Sequence, residues 1–194
     1  MVDKKEMELN KYIIEYNHVL PIEVIGALVN YASKENFKAT SIITKDGEAI
    51  DKKVRNVECL PLGDRETWTK AHWHNLLTWA IKKHFKIYSK TFTCGTSSSR
   101  ITSLEILKYE KDMFYELHTD YHLTAPRSVS AILYLNNDYE GGTTSFFHPI
   151  SGEKIYEAKP EPAKLIMWPS NFMYPHAADP VTKGTRYVVV SWIS

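Results

Sequence analysis

The sequence predicts an α+β fold, a jelly-roll β-sandwich (double-stranded β-helix) with N-terminal helices packed on one sheet. Two stretches in the first half place apolar residues at three- and four-residue intervals, the spacing that gives a helix one apolar face. After Arg100 the pattern changes to short segments of β-branched and aromatic residues separated by turn residues. Helices first and strands afterwards is an α+β order, and about eight short strands in two sheets make a jelly roll.

The first helix is expected over 21–33, opened by Pro21, with Ile22, Ile25, Leu28 and Val29 on one side. From Lys34 to Arg65 the chain turns polar and irregular, with Lys45-Asp46-Gly47 and Leu60-Pro61-Leu62-Gly63 as breaks. This reads as an excursion that could act as a lid. A second helix over 67–88 follows from the recurrence of Leu76, Leu77, Ala80, Ile81, His84 and Phe85. Strands are expected at 101–109, 115–120, 129–135, 143–147, 154–157, 164–168 and 185–193. Asn136-Asn137-Asp138, Gly141-Gly142, Ser151-Gly152, Pro169-Ser170-Asn171 and Lys183-Gly184 stand between them. With 194 residues and 43% hydrophobic content, residues 1–194 can close a core as a single domain. Residues 1–100 are its helical support and lid, and 101–194 its jelly-roll core.

Charge and composition narrow the function. Lysine and arginine total 24 against 23 acidic residues, so there is no global basic field of the kind that draws nucleic acid or anionic membranes. The first residues lack the apolar stretch of a secretory signal, and no apolar run approaches the roughly 20 residues of a membrane span. A cytoplasmic protein is expected. Cys59 and Cys94, without CxxC spacing, suggest buried free thiols rather than a disulfide framework or a thiolate zinc site.

The chemistry is carried by His118-Thr119-Asp120, with His176 and Arg186 far downstream. In a strand, residues two apart point to the same face, so His118 and Asp120 can converge on one ion. Two histidines and a carboxylate on one side of a divalent metal leave the opposite positions open, the ligand set of non-haem Fe(II) oxygenases. His122 continues the spacing and competes for a place in the set; His72 and His74 diverge around a helix, and His148 sits where a pocket mouth or a loop could hold it. Arg186 precedes Tyr187-Val188-Val189-Val190, and a guanidinium in so apolar a strand needs a carboxylate partner, from the protein or from a ligand.

Taken together these residues resemble the Fe(II)- and 2-oxoglutarate-dependent dioxygenases, in their prolyl 4-hydroxylase-like branch. The matching text runs from Tyr109 through His118 and Asp120, from Arg127 to Asn136, through Asp138-Tyr-Glu-Gly141-Gly142-Thr-Thr144, and from Lys164 to Trp192. The resemblance implies His118, Asp120 and His176 as iron ligands and Arg186 as partner of the distal carboxylate of 2-oxoglutarate. It implies Tyr109 and Tyr134 as hydrogen-bond partners of that co-substrate, with Ser130 and Thr144 as further contacts. Arg127 and Trp192 stand where related enzymes contact substrate or flank the co-substrate. Tyr115, Tyr121 and the stretch 57–62 are candidates to line the opening. Fe(II), 2-oxoglutarate and O2 are the implied cofactors, with ascorbate as reductant.

The family's usual glycine before the HxD motif is replaced here by Lys111-Asp112-Met113. Arginine at 186, where collagen-type relatives carry lysine, removes any implication of a collagen-like substrate. The expected reaction is hydroxylation of an unactivated C–H bond of a prolyl residue in a peptide or protein, with release of succinate and CO2. A free amino acid as substrate, or a nucleic-acid demethylase, is the same-chemistry alternative; Lys52, Lys53, Arg55, Trp68 and Trp73 would serve the latter. A non-catalytic metal-containing binding module is the alternative of another class.

Overall fold

The computed structural model describes residues 8–44, 47–92, 100–121 and 126–194. His122, Cys94 and the Lys45-Asp46 part of the first turn signal lie outside them. After a 3-10 turn at Leu9–Tyr12 come β1 (Ile14–Tyr16), α1 (Ile22–Ala32), β2 (Lys38–Ala39), β3 (Ile42–Thr44), β4 (Gly47–Ala49), β5 (Arg55–Asn56), β6 (Glu58–Pro61) and α2 (Trp68–Thr91). The second half contributes β7 (Ile101–Tyr109), β8 (Phe114–His118), β9 (Val129–Tyr134), β10 (Glu140–Gly141), β11 (Thr144–Phe147), β12 (Lys154–Ala158), β13 (Leu165–Pro169), β14 (His176–Ala178), β15 (Val181–Lys183) and β16 (Arg186–Ile193).

A seven-stranded sheet in the order β1-β13-β9-β16-β7-β6-β2 faces a five-stranded sheet in the order β12-β11-β14-β8-β5. Their antiparallel pairing and the two helices on the larger sheet make the expected α+β jelly roll. The period-2 alternation of β16 explains the layering. Val189 and Ile193 join Leu104, Ile106, Leu133 and Leu165 in the core beneath the helices, where Leu28 of α1 and Leu77 and Ile81 of α2 are packed. Val188 and Val190 face the other way, toward Phe146, Trp168 and Tyr134 between the sheets. The larger sheet is thus apolar on both faces, one serving the helices and the other the site. Thr67 caps α2 by accepting from Lys70 N at 3.1 Å, satisfying one of the donors a helix start leaves free.

All seven expected strands are present within one or two residues of their expected ends. Two expectations are corrected. The excursion from 34 to 65 is not simply irregular: β2 and β6 extend the larger sheet and β5 extends the smaller one. Val57, Leu60 and Leu62 are buried accordingly, so 57–62 is sheet and core rather than cavity rim. The HxD strand also ends at His118, and Asp120 lies beyond it. The two residues converge because the chain turns there, with Asp120 fixed by Ser130, and not by strand alternation alone.

Among the described residues no helix is long and apolar enough to cross a membrane.

Candidate active site

Three chain segments bring the metal-ligand candidates together. His176 of β14 pairs directly with His118 of β8 in the smaller sheet, so the two imidazoles meet across one ladder step. Asp120 then reaches in, with Oδ2 at 3.5 Å from His176 Nε2 and Oδ1 at 3.9 Å from His118 Nε2. One ligand atom from each residue lies within 4.8 Å of the other two, a span a single cation can bridge.

Both rings are oriented for that task. His118 Nδ1 lies 2.8 Å from the carbonyl of Glu116 and His176 Nδ1 lies 3.1 Å from that of Tyr174. A carbonyl can only accept, so each Nδ1 is the protonated nitrogen and each Nε2 presents a lone pair to its neighbours. The ring of His176 is wedged by Phe146, 5.5 Å away and stacked, and by Trp168, 5.0 Å away and edge-on. Tyr115 stacks on His118 at 3.6 Å. Burial, together with the neighbouring His176, pushes the pKa of His118 down to about 3, which keeps it neutral as a ligand must be. Burial opposes ionisation of Asp120, but His176, His118 and the Ser130 hydroxyl outweigh it and hold the carboxyl below its usual range. Two neutral nitrogen donors and one carboxylate are a donor set suited to Fe(II).

Arg186 begins β16, 1% exposed. Nη2 donates to Thr144 Oγ1 at 2.9 Å, and Tyr134 donates to the same oxygen at 2.8 Å. The guanidinium lies over the Tyr109 ring, 4.7 Å from its centroid. Among the described residues Nε and Nη1 have no well-aligned hydrogen-bond acceptor, the Tyr139 hydroxyl lies beside the guanidinium, and no carboxylate pairs with this arginine. A buried cation with no carboxylate partner is costly unless something fills the gap, so the cavity is built for an acid. Thr144 lies two residues along β11 from Phe146, which pairs with His176. At the rise of a strand this sets Thr144, with Arg186 bonded to it, about 7 Å along the strand and one strand spacing across from His176, a span comparable with the length of 2-oxoglutarate. The residues therefore fit both groups: His118, Asp120 and His176 the metal, Arg186 and Thr144 the far carboxylate.

One cavity of about 480 Å³ holds all of these. Tyr109, Tyr115, Tyr121, Arg127, Ser130, Thr144 and Trp192 line it, together with the triad and Arg186. Tyr134, though it does not line the cavity, reaches it through Thr144. Ser130 acts on the triad: its hydroxyl donates to Asp120 Oδ2 at 2.6 Å and lies 2.7 Å from the Ser170 hydroxyl. Arg127 stacks on Trp192 at 3.9 Å and donates to the carbonyl of Asp120 at 3.3 Å. His74 lies beside Arg65 on α2 and His148 accepts from the Ile150 and Ser151 amides; neither lines the cavity.

Two residues, Tyr139 and Glu105, escaped the sequence reading, and Arg55 was read there for a nucleic-acid role instead. Tyr139, beside Arg186 and Gly142, has its hydroxyl pushed up to about 12 by burial. Arg55 lies 4.7 Å from the centroid of Tyr115, on the ring that stacks on His118. Glu105 faces inward from β7 into the same cavity. Only the Asp138-Tyr139-Glu140 text beside the double glycine could have pointed to Tyr139; the other two follow from strand pairing. Gly141 and Gly142, at φ of 72° and 60°, let the chain turn tightly against Val181; a Cβ on Gly142 would meet the Val181 side chain at 2.7 Å. Asp112, at φ of 65°, adopts the left-handed conformation in the turn between β7 and β8.

A jelly roll whose two sheets enclose a His-Asp-His cluster and an unpaired arginine defines the class of metal oxygenases that take a 2-oxo acid. Residues 104–194 match the family model of the 2OG-Fe(II) oxygenase superfamily. A PKHD-type hydroxylase of Rippkaea orientalis is 32% identical over 192 residues, covering 93% of this chain and 78% of that protein. The chain belongs to the 2OG-Fe(II) oxygenase superfamily and is similar to its PKHD-type hydroxylases. Its alignments with PKHD-type hydroxylases of Crocosphaera subtropica and Synechococcus span about half of those proteins, 47% in each case. Solved structures share the fold. A Pseudomonas putida prolyl-4-hydroxylase has a TM-score of 0.74 at 17% identity, with 94% of this chain and 92% of that one covered. A Trichoplax adhaerens prolyl hydroxylase in complex with a hypoxia inducible factor peptide fragment has a TM-score of 0.70 at 18% identity, with 96% and 85% covered.

Proposed function

We propose that this protein is an Fe(II)- and 2-oxoglutarate-dependent hydroxylase acting on a prolyl residue of a peptide or protein. The observation that carries the reading is the buried Arg186, which among the described residues has no carboxylate partner and lines the cavity that holds His118, Asp120 and His176. When bound, iron and its co-substrate supply the oxidation: R–H, 2-oxoglutarate and O2 become R–OH, succinate and CO2.

The residues of the chain do the rest. His118, Asp120 and His176 hold the metal on one side and leave the cavity side open. Arg186 and the Thr144 hydroxyl bind and orient the distal carboxylate, with Tyr109 beneath the guanidinium and Tyr134 fixing Thr144. Ser130 and Ser170 hold Asp120, and Phe146, Trp168 and Tyr115 hold the imidazoles and exclude water from around them. Arg127 on Trp192, with Tyr115 and Tyr121, forms the substrate side. The substrate class is supported by the prolyl-hydroxylase names of the relatives and by the peptide in the Trichoplax complex. A cytoplasmic setting, with ascorbate keeping the metal reduced, belongs to the same reading and suits Cys59, a buried free thiol.

The nucleic-acid alternative loses Arg55, which is tucked against Tyr115 and bonded to the Ser41 carbonyl rather than free to meet phosphates. A binding module would have no use for a buried arginine held without a carboxylate. The test is incubation with Fe(II), 2-oxoglutarate, ascorbate and proline-containing peptides. Succinate and a peptide heavier by one oxygen atom are expected; neither, under aerobic conditions with loaded metal, would overturn the reading.

A further inference from the structure

Glu105 has no role in anything derived above. It lies on the inner face of β7, opposite Val190 of β16, and Val190 in turn pairs with Ile132 of β9. Two strand spacings, roughly 10 Å, thus separate it from the strand that carries Ser130 and braces Asp120. That distance is within the compass of one substrate molecule. The carboxylate lines the cavity and is held from behind: Ser103 Oγ donates to Oε1 at 2.7 Å and Cys59 Sγ to Oε2 at 3.4 Å. Burial, with Glu105 beside it, raises the pKa of the Cys59 thiol far above its ordinary value, so Cys59 stays protonated and remains a donor.

Among the described residues no lysine, arginine or histidine forms an ion pair with Glu105. Arg127 feels the charge of Glu105, after that of Asp120, but forms no ion pair with it: its guanidinium is stacked on Trp192 and donates to the Asp120 carbonyl, while Arg55 lies on Tyr115 and donates to the Ser41 carbonyl. A carboxylate on a cavity wall, positioned by two donors and with no cation in direct contact among the described residues, can take one from a ligand. Its neighbours on the same face of β7 and β16 are Ser103, which donates to it, and the apolar Leu107 and Val190.

We propose that Glu105 is a specificity residue of the substrate pocket, which recognises a cationic nitrogen carried close to the carbon that is hydroxylated. This rests on the hydroxylase reading and refines its substrate class. Two sources have that chemistry: a lysine or arginine side chain beside the target residue, and the ammonium of a free amino acid or chain terminus. Internal neutral peptides would be the poorer substrates.

The test compares peptides with a single proline flanked by lysine, by its uncharged isostere norleucine or by glutamate, each with a blocked or a free amino terminus, and free proline. KM and kcat are taken from succinate release. Affinity is measured separately by calorimetry on protein loaded with a redox-inert divalent ion and 2-oxoglutarate without O2. The lysine peptide, or the free-amine arm if the terminus is the source, is expected to bind about tenfold tighter than its neutral counterpart. Glu105→Gln, which keeps the size and an acceptor for Ser103, should erase that ratio through KM, and Glu105→Lys should shift preference to the glutamate peptide. Equal binding of cationic and neutral arms by the wild-type protein, or an unchanged ratio in Glu105→Gln, overturns the assignment. If peptides are still hydroxylated in that event, the hydroxylase reading stands. Neither binding nor succinate from any arm overturns both.

Discussion

The hydroxyl of Thr144 accepts from Nη2 of Arg186 at 2.9 Å, and this contact fixes which donors of the guanidinium remain for a ligand. Substituting Arg186→Lys keeps the charge and loses the fork. Loss of charge-assisted hydrogen bonds worth about 1.5–3 kcal/mol should weaken 2-oxoglutarate binding roughly 10- to 150-fold. Thr144→Val, isosteric but without the acceptor, should weaken it by a smaller factor. Calorimetric titration of 2-oxoglutarate measures both; unchanged affinity in Arg186→Lys would make the arginine structural.

Ser130 tests the support of the triad. Ser130→Ala removes the 2.6 Å bond to Asp120 and the contact with Ser170. Losing such an outer partner should lower metal affinity about 10- to 100-fold while leaving the fold intact. Competition for Fe(II) or Mn(II) against a chromophoric chelator reads the change, and circular dichroism checks the fold. Wild-type affinity in Ser130→Ala would show that Asp120 is held without it.

How much of this could be read from the chain depended on the length of each element. Long strands such as Ile101–Tyr109 and Arg186–Ile193 contain enough alternation to announce themselves, and α2 repeats its apolar face over several turns. Arg55–Asn56 has two residues and His176–Ala178 three, too few for any period, so their sheet membership arises only from partners distant in the chain, Phe114 and Tyr115 for the first and strands on both sides for the second. The triad and Arg186 were legible because their residue types are chemically demanding. Glu105 was not, since a glutamate between Leu104 and Ile106 looks like any polar position of a half-exposed strand.

Phe146 joins core and site. It is fully buried between Trp168 and His176, 5.1 Å and 5.5 Å away. Phe146→Ala should cost about 3–5 kcal/mol of stability. It should also weaken metal binding, because the His176 ring loses one wall. Urea unfolding of the metal-free protein measures the first effect and metal titration the second; a loss of stability below about 1 kcal/mol would mean that the site collapses to refill the space.

Asp112 holds a left-handed turn between β7 and β8. Aspartate and glycine tolerate that conformation, but a β-branched residue does not. Asp112→Val should destabilise the protein by about 1–2 kcal/mol or more, whereas Asp112→Gly should change stability by less than about 1 kcal/mol. Thermal unfolding separates the two. Equal stabilities for valine and glycine would contradict the turn.

Removal and return of metal tests the ligand set. A chelator should lower the melting temperature of the Fe(II)- or Mn(II)-loaded protein, and 2-oxoglutarate should raise it further, as expected when a ligand binds only the folded state. In Asp120→Ala neither shift should appear. A full metal-dependent shift in that variant would remove Asp120 from the set.

The central claim is that one metal held by His118, Asp120 and His176 and the guanidinium of Arg186 grasp the two ends of a single 2-oxo acid. Its most direct measurement is anaerobic titration of 2-oxoglutarate into the Fe(II)-loaded protein, followed by visible absorption. Chelation of iron by the keto acid should give a new charge-transfer band that saturates at one equivalent, is absent in His176→Ala and needs far more co-substrate in Arg186→Lys. No band in the wild-type protein, or a band indifferent to both substitutions, would contradict the account.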